Sequence, residues 1–317
     1  MEQTLNIVIC FPTTEEQRAR MKAACPNGNF IFDHTPSEEA IASAHVIAGH
    51  LGPKRLAQAQ NLRWFQCDFA GVDRYVVPGV LPEDVLLTNA RGAYGLAIAE
   101  HLLAGTLSLL KRLDQYHANQ LEHRWRDEGN VTSLQGARVL LLGVGDIGGC
   151  YGRMVKALGS HVTGMRLHGG EKPDWMDEQY TIEHLERELA KADIVAMSLP
   201  GTALTGGIMN LERMKYMKST ALLVNGGRGS TVVTDDLNTA LRQGVIAGAF
   251  LDVCDPEPLP ADHPLWDAPR AVITPHIAGY YHLPQTVNNI NEIVIHNLEA
   301  YAKGLPMKNV IDRSQGY

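Results

Sequence analysis

Short apolar runs alternate with longer stretches of helical periodicity along almost the whole chain. This is the pattern of βα units that stack into parallel sheets covered on both faces. Two series of runs are visible. The first predicts strands at residues 5–10, 30–32, 45–48, 63–66 and 86–88, with a helix after the first strand opened by a capping box of Thr13 and Glu16. Between residues 93 and 111, Leu96, Leu102, Leu103, Leu107 and Leu110 fall at helical spacing and predict a helix of about five turns linking two domains. A polar stretch, residues 114–135, precedes the second series, with strands predicted at 138–142, 161–165, 193–199, 221–225, 244–252 and 271–274. Helices fit between these, at 147–158, 182–190 and 234–242 among others. A last periodic segment, 284–302, carries Val287, Ile290, Ile293, Val294 and Leu298 on one face and is expected to pack back on the first series. The domains expected are therefore 1–92 with 284–317, and 93–283.

Composition narrows the function classes. A length of 317 residues exceeds what one core supports, and 45% hydrophobic against 20% charged residues is a globular balance. With 28 Lys and Arg against 35 Asp and Glu, the formal charge of −7 offers no basic field for nucleic acid. No apolar window approaches a membrane span, and the first residues lack a leader pattern, so a cytoplasmic protein without a membrane partner is expected. Cys10, Cys25, Cys67, Cys150 and Cys254 are odd in number, scattered, and never form C-x-x-C, so neither a disulfide framework nor a metal site is expected.

The run Val139-Leu-Leu-Leu-Gly143-Val-Gly145-Asp146-Ile147-Gly148 places G-x-G-x-x-G between a predicted buried strand and a predicted helix. Gly143 permits the turn, Gly145 lets a pyrophosphate approach the backbone, and Gly148 lets helix and strand pack closely. The free N–H groups of the helix start, from Asp146 and Ile147 onward, face the anion. In an NAD site an acid is expected near the end of the next strand to bind the ribose hydroxyls. Here Arg166 stands there and the first acid is Glu171. A guanidinium at that place suits a 2′-phosphate, so NADP(H) is the expected cofactor, with NAD(H) the alternative if Arg166 is merely solvated.

Three further segments each carry a polar group just beyond a predicted strand, where open α/β sheets bind ligands. They are Asn225-Gly-Gly227-Arg228-Gly, Leu251-Asp252-Val-Cys-Asp-Pro-Glu257-Pro-Leu, and Thr274-Pro-His276-Ile-Ala-Gly. Taken singly, each has a bland alternative: a structural histidine, a loop carboxylate, a surface arginine.

Together with Ser198-Leu199-Pro200-Gly-Thr202-Ala-Leu-Thr205, these residues make the chain resemble the D-isomer-specific 2-hydroxyacid dehydrogenases, glyoxylate/hydroxypyruvate reductases among them, from about residue 66 to 279. The resemblance implies an α/β chain with a Rossmann-type doubly wound parallel sheet as cofactor domain. Beside it would stand a smaller flavodoxin-like α/β substrate domain formed by both chain ends, the active site lying in the cleft between them. It also implies a homodimer, for which the 93–111 helix is a candidate face. His276 would exchange the proton with the carbonyl oxygen, Glu257 would orient it, and Arg228 would bind the substrate carboxylate and polarise the carbonyl. Asp252 would face the nicotinamide, with Leu199, Pro200, Thr205 and Gly227 along the cofactor. Thr202 and Thr205 have helix capping as their alternative. In Phe69-Ala70-Gly71-Val72-Asp73, the backbone at Ala70 and Gly71 would receive the substrate carboxylate, and Tyr94 would touch substrate or hinge.

The sequence departs from the family pattern at Arg166 and at Tyr280-Tyr281-His282, so the particular 2-oxo acid stays open. A chain stopping at Tyr317 leaves no room for the appended domain of many phosphoglycerate dehydrogenases, and Glu257 argues against a formate dehydrogenase. Two rivals remain: a cofactor-sensing binding protein of the corepressor type, and phosphite oxidation on the same three residues.

Overall fold

The computed structural model describes residues 4–167 and 169–313. It divides into two compact units, Met1–Tyr94 with Tyr281–Tyr317, and Gly95–Tyr280.

The small unit holds five parallel strands, β1 (Leu5–Cys10), β2 (Gly28–Phe32), β3 (Val46–Gly49), β4 (Trp64–Cys67) and β5 (Leu86–Thr88), in the order β2-β1-β3-β4-β5. That is the flavodoxin-like order 2-1-3-4-5. The strands β3 and β4 are buried at every position, as expected of parallel strands covered on both faces. The helix Glu15–Ala24 begins one residue later than expected. Thr14, not Thr13, is the N-cap, and its capping box is closed by Gln17 rather than Glu16. The returning helix Pro284–Lys303 packs against Glu15–Ala24, starts with Pro284 in its first turn and ends at Gly304 with φ +63°. A buried polar chain ties it to the sheet: Trp64 Nε1 donates to Thr88 Oγ1 (2.8 Å), Thr88 Oγ1 to Gln66 Oε1 (2.7 Å), and Asn297 Nδ2 to the same oxygen (2.8 Å).

The large unit holds seven parallel strands, β6 (Arg138–Leu142), β7 (His161–Arg166), β8 (Glu178–Thr181), β9 (Ile194–Met197), β10 (Leu222–Asn225), β11 (Gly248–Leu251) and β12 (Ala271–Ile273). Their order is β12-β11-β10-β9-β6-β7-β8, so the order reverses between β6 and β9. This is a Rossmann-type sheet with its switch point beside the glycine-rich turn. The edge strand β8 and the helix Leu113–Leu121 lie where the sequence predicts neither, and the segment expected as a helix at 182–190 is a short 3₁₀ turn followed by Leu185–Leu189. The helix Gly95–Leu110 buries Ala99, Leu102 and Leu109 in one cluster with Val224 and Phe250. Much of the face expected to meet a second subunit is therefore covered within the chain. Among the described residues no helix is long and apolar enough to cross a membrane.

Candidate active site

The large unit's sites lie on loops at the carboxyl ends of its strands. After β6 the turn is fixed by contacts that only glycine permits. Gly143 has φ +94°, and a Cβ on Gly148 would come within 2.1 Å of the Gly143 carbonyl oxygen. Ser198, just past β9, donates from Oγ to that same carbonyl (3.1 Å) and so locks the neighbouring loop to the turn. Gly145 differs: a Cβ there would meet nothing within 4 Å. It is the N-cap of the helix Asp146–Ala157 and makes no side-chain cap bond, leaving the first N–H groups, those of Asp146, Ile147 and Gly148, for an outside acceptor.

Arg166 ends β7, and its Nε is buried without a hydrogen-bond partner. A buried, unpaired guanidinium N–H is costly, and an anion would relieve it. The donor set therefore fits a dinucleotide that carries an extra phosphate. Glu171 is exposed.

Past β9, Thr205 does not cap a helix. Its hydroxyl donates to the Pro200 carbonyl (2.6 Å) and accepts from Thr202 N–H (2.9 Å), bracing a turn in which Leu199 is half-buried and Pro200 exposed. A Cβ on Gly227 would lie 2.8 Å from Leu199 N, so the loops after β9 and β10 pack backbone to backbone.

Arg228 follows β10 on a loop organised by the buried Asn225. Asn225 Oδ1 accepts from Gly227 N–H (3.1 Å), and its Nδ2 donates to the Arg228 carbonyl (3.1 Å). The Arg228 side chain is half-buried and donates to the Gly227 carbonyl (2.9 Å). Gly229 then touches the Cys254 carbonyl so closely that a Cβ would sit 1.7 Å from it, which joins the Arg228 loop to the one carrying Glu257.

His276 and Glu257 are paired directly. Nδ1 and Oε2 are 2.9 Å apart, and the carboxylate also accepts from Cys254 N–H (3.0 Å). Burial pushes the Glu257 carboxyl up, yet the bonds from His276 and Cys254 and the charges of His276 and Arg228 hold it below the usual carboxylate range. His276 has φ +54°. A non-glycine residue in the left-handed region is uncommon, and such conformations gather where geometry serves function.

Asp252 supplies what holds His276 in place. Its Oδ1 accepts from Thr274 Oγ1 (2.7 Å) and Ile277 N–H (3.0 Å), its Oδ2 from Ala278 N–H (3.1 Å), and its carbonyl from His276 N–H (2.8 Å). The carboxylate is thus engaged with the loop that bears His276, where the sequence reading aims it at the nicotinamide. His101 adds a bond from Nε2 to Thr274 Oγ1 (2.9 Å). Sequence reasoning missed Asn225, Ser198, Thr274, Gly229 and His101. The first four stand inside the quoted motifs, so their position past strand ends was the available signal; His101, inside an ordinary helical pattern, had none.

The small unit carries the remaining substrate candidates. Ala70 is exposed and its carbonyl accepts from Asn89 Nδ2 (2.6 Å), while Gly71 is half-buried. Tyr94 is buried, with its hydroxyl donated to the Asp68 carbonyl (2.6 Å). Among the described residues no group of three His, Cys, Asp or Glu could hold a metal ion.

A glycine-rich turn at the switch point of a doubly wound sheet and a histidine–carboxylate pair beside an arginine define a nucleotide-dependent oxidoreductase. The family model of the D-isomer specific 2-hydroxyacid dehydrogenase NAD binding domain matches residues 103–278. The glyoxylate/hydroxypyruvate reductase A of Escherichia fergusonii is 32% identical over 293 residues, 90% of this chain and 89% of that one. Among solved structures, a D-isomer specific 2-hydroxyacid dehydrogenase family protein from Aeromonas salmonicida superimposes with a TM-score of 0.86 at 32% identity, covering 98% of this chain and 100% of the other. The NADPH-dependent glyoxylate/hydroxypyruvate reductase of Sinorhizobium meliloti, solved with NADP and sulfate, gives 0.83 at 25% identity, covering 99% and 100%. The chain belongs to the D-isomer specific 2-hydroxyacid dehydrogenase family and is an NAD(P)-dependent oxidoreductase.

Proposed function

We propose that this protein reduces a small 2-oxo acid to the D-2-hydroxy acid with NADPH, with His276 as the proton donor. The observation that carries the proposal is the 2.9 Å bond between His276 Nδ1 and Glu257, which leaves Nε2 as the ring nitrogen able to serve substrate. Gly143, Gly145, Asp146, Ile147 and Gly148, with Leu199, Pro200 and Gly227 alongside, would hold the reduced cofactor, which when bound would supply the hydride for the carbonyl carbon. His276 delivers a proton from Nε2 to the carbonyl oxygen as charge develops there. Glu257 fixes the ring so that Nε2 keeps its aim, and Arg228 binds the carboxylate and polarises the carbonyl. The loop Phe69–Asp73 contributes backbone N–H groups at Ala70 and Gly71 to the same carboxylate. Thr205 and Asp252 act through the loops they brace. The reading also includes a cytoplasmic homodimer, whose test is the mass in solution by light scattering.

The decisive experiment is NADPH oxidation with glyoxylate, hydroxypyruvate, pyruvate and bulkier 2-oxo acids. His276→Ala should lower kcat about a hundredfold or more, with the Kd for NADPH nearly unchanged. Cofactor binding without turnover of any of these acids overturns the assignment in favour of a cofactor sensor, and cofactor reduction by phosphite would reassign the reaction. The unpaired Arg166 Nε supports NADPH over NADH. Arg166→Ala should raise KM for NADPH about tenfold or more while changing that for NADH little; a wild-type preference for NADH removes this part of the reading.

A further inference from the structure

The small unit is entered and left by the chain at two places, and both are tied to one residue. Tyr94 is its last residue before the large unit and Tyr281 its first after it. The Tyr94 hydroxyl donates to the Asp68 carbonyl oxygen (2.6 Å), and the Tyr281 hydroxyl donates to Asp68 Oδ2. The ring of Phe69 stacks near-parallel with both, at 6.3 Å from Tyr94 and 6.5 Å from Tyr281. Asp68 is fully buried directly after β4, and its Oδ1 has no hydrogen-bond partner. Burial pushes its carboxyl up to about 6, with the Tyr281 hydroxyl, the backbone and Arg74 pulling the other way. A buried carboxylate with one oxygen unsatisfied is expensive, and such groups concentrate where a particular geometry is being held.

We propose that Asp68 is a positioning residue for the reaction: through Tyr94 and Tyr281 it fastens the outgoing and returning chain to the start of the loop Phe69–Asp73. The proposal rests on the reading of that loop as the receptor of the substrate carboxylate. Tyr281 is the residue at which the returning chain re-enters the small unit, five positions after His276, so the bond to Asp68 fixes that point of re-entry within the small unit. Ala70 and Gly71 follow Asp68 by two and three residues, so their N–H groups inherit its placement. Asp68 acts on the substrate through these neighbours.

The test is a double-mutant cycle on the full-length protein. Asp68→Ala and Tyr281→Phe should each raise KM for the best 2-oxo acid at least about fivefold, with the Kd for NADPH within about twofold of wild type. The double variant should be no worse than the worse single one, because both remove the same bond. Asp68→Asn, whose amide oxygen still accepts from Tyr281, should restore KM to within about threefold of wild type. Unchanged KM in both single variants, additive effects in the double, or Asn as damaging as Ala overturns the proposal. Should wild type turn over no 2-oxo acid, the functional reading fails first. The same cycle read in thermal unfolding then decides the bond, since coupling between positions 68 and 281 upholds the anchor and its absence overturns it.

Discussion

Among the described residues, each unit buries one aspartate just past the carboxyl end of a strand, and the two are served very differently. Asp252 in the large unit has both carboxylate oxygens occupied, by Thr274, Ile277 and Ala278, and His101 stands 3.5 Å from Oδ1. Asp68 in the small unit has one oxygen bound to Tyr281 and the other to nothing. A buried acid with all its lone pairs engaged adds rigidity, whereas one left half-satisfied subtracts stability while still fixing direction. The large unit thus builds its site on a completed network, and the small unit holds its loop at an energetic cost.

Substitutions ranked by their effect on turnover can break this contrast. Gly229→Ala should be the most damaging, since the added carbon would fall 1.7 Å from the Cys254 carbonyl oxygen and push apart the loops of Arg228 and Glu257. We expect it to cost about 3 kcal/mol or more in urea unfolding and to abolish measurable activity; near-normal activity would show that the two loops need not touch. Asp252→Ala should follow, releasing the His276 loop, with kcat at least about tenfold lower and about 2–3 kcal/mol of stability lost. A fall in KM affinity for NADPH with kcat intact would instead return Asp252 to the nicotinamide.

The smallest effect on turnover, and the sharpest contrast in stability, belongs to Asp68→Asn. The folded-state value of about 6 lies above the ordinary 3.8, so the protonated form is favoured by folding. Tyr281, Tyr94, Tyr75, Cys67, Cys10 and Arg74 are the titratable and charged neighbours in that electrostatic environment. Stability is complete below the unfolded value and is lost as pH rises through about 6. The asparagine variant should therefore match wild type near pH 4 and exceed it by roughly 2–3 kcal/mol near pH 8. Equal stabilities at both pH values would mean that the carboxylate is not strained.

Much of this was legible in the sequence where local pattern and tertiary role agree. The strands β5 and β6 lie where the apolar runs predict them, and the glycines of the cradle follow from a strand–turn–helix context. The edge strand β8, Glu-Gln-Tyr-Thr, is half-buried throughout and carries no apolar alternation, so nothing local marks it. The helix Leu113–Leu121 hides in a polar stretch because only Asn119 of it is buried. Thr13 and Thr14 offer equivalent caps on paper, and the choice is made when Gln17 Oε1 reaches Thr14 N–H. Asp68 reads as one more polar residue before a turn. Its significance depends on two tyrosines, 26 and 213 positions away, that only the folded chain brings to it.

The polar chain from Trp64 through Thr88 and Gln66 to Asn297 has a consequence for how the molecule is made. Ribosomal synthesis delivers the large unit as one uninterrupted stretch, able to mature as soon as it emerges. The opening ninety or so residues, by contrast, wait through that whole interval with Gln66 Oε1 lacking its last donor, Asn297, and are completed only when the closing helix arrives. Newly made chains stalled before that point should be the most vulnerable to proteases and the most dependent on chaperones, with cleavage concentrated in the first, not the middle, third of the polypeptide.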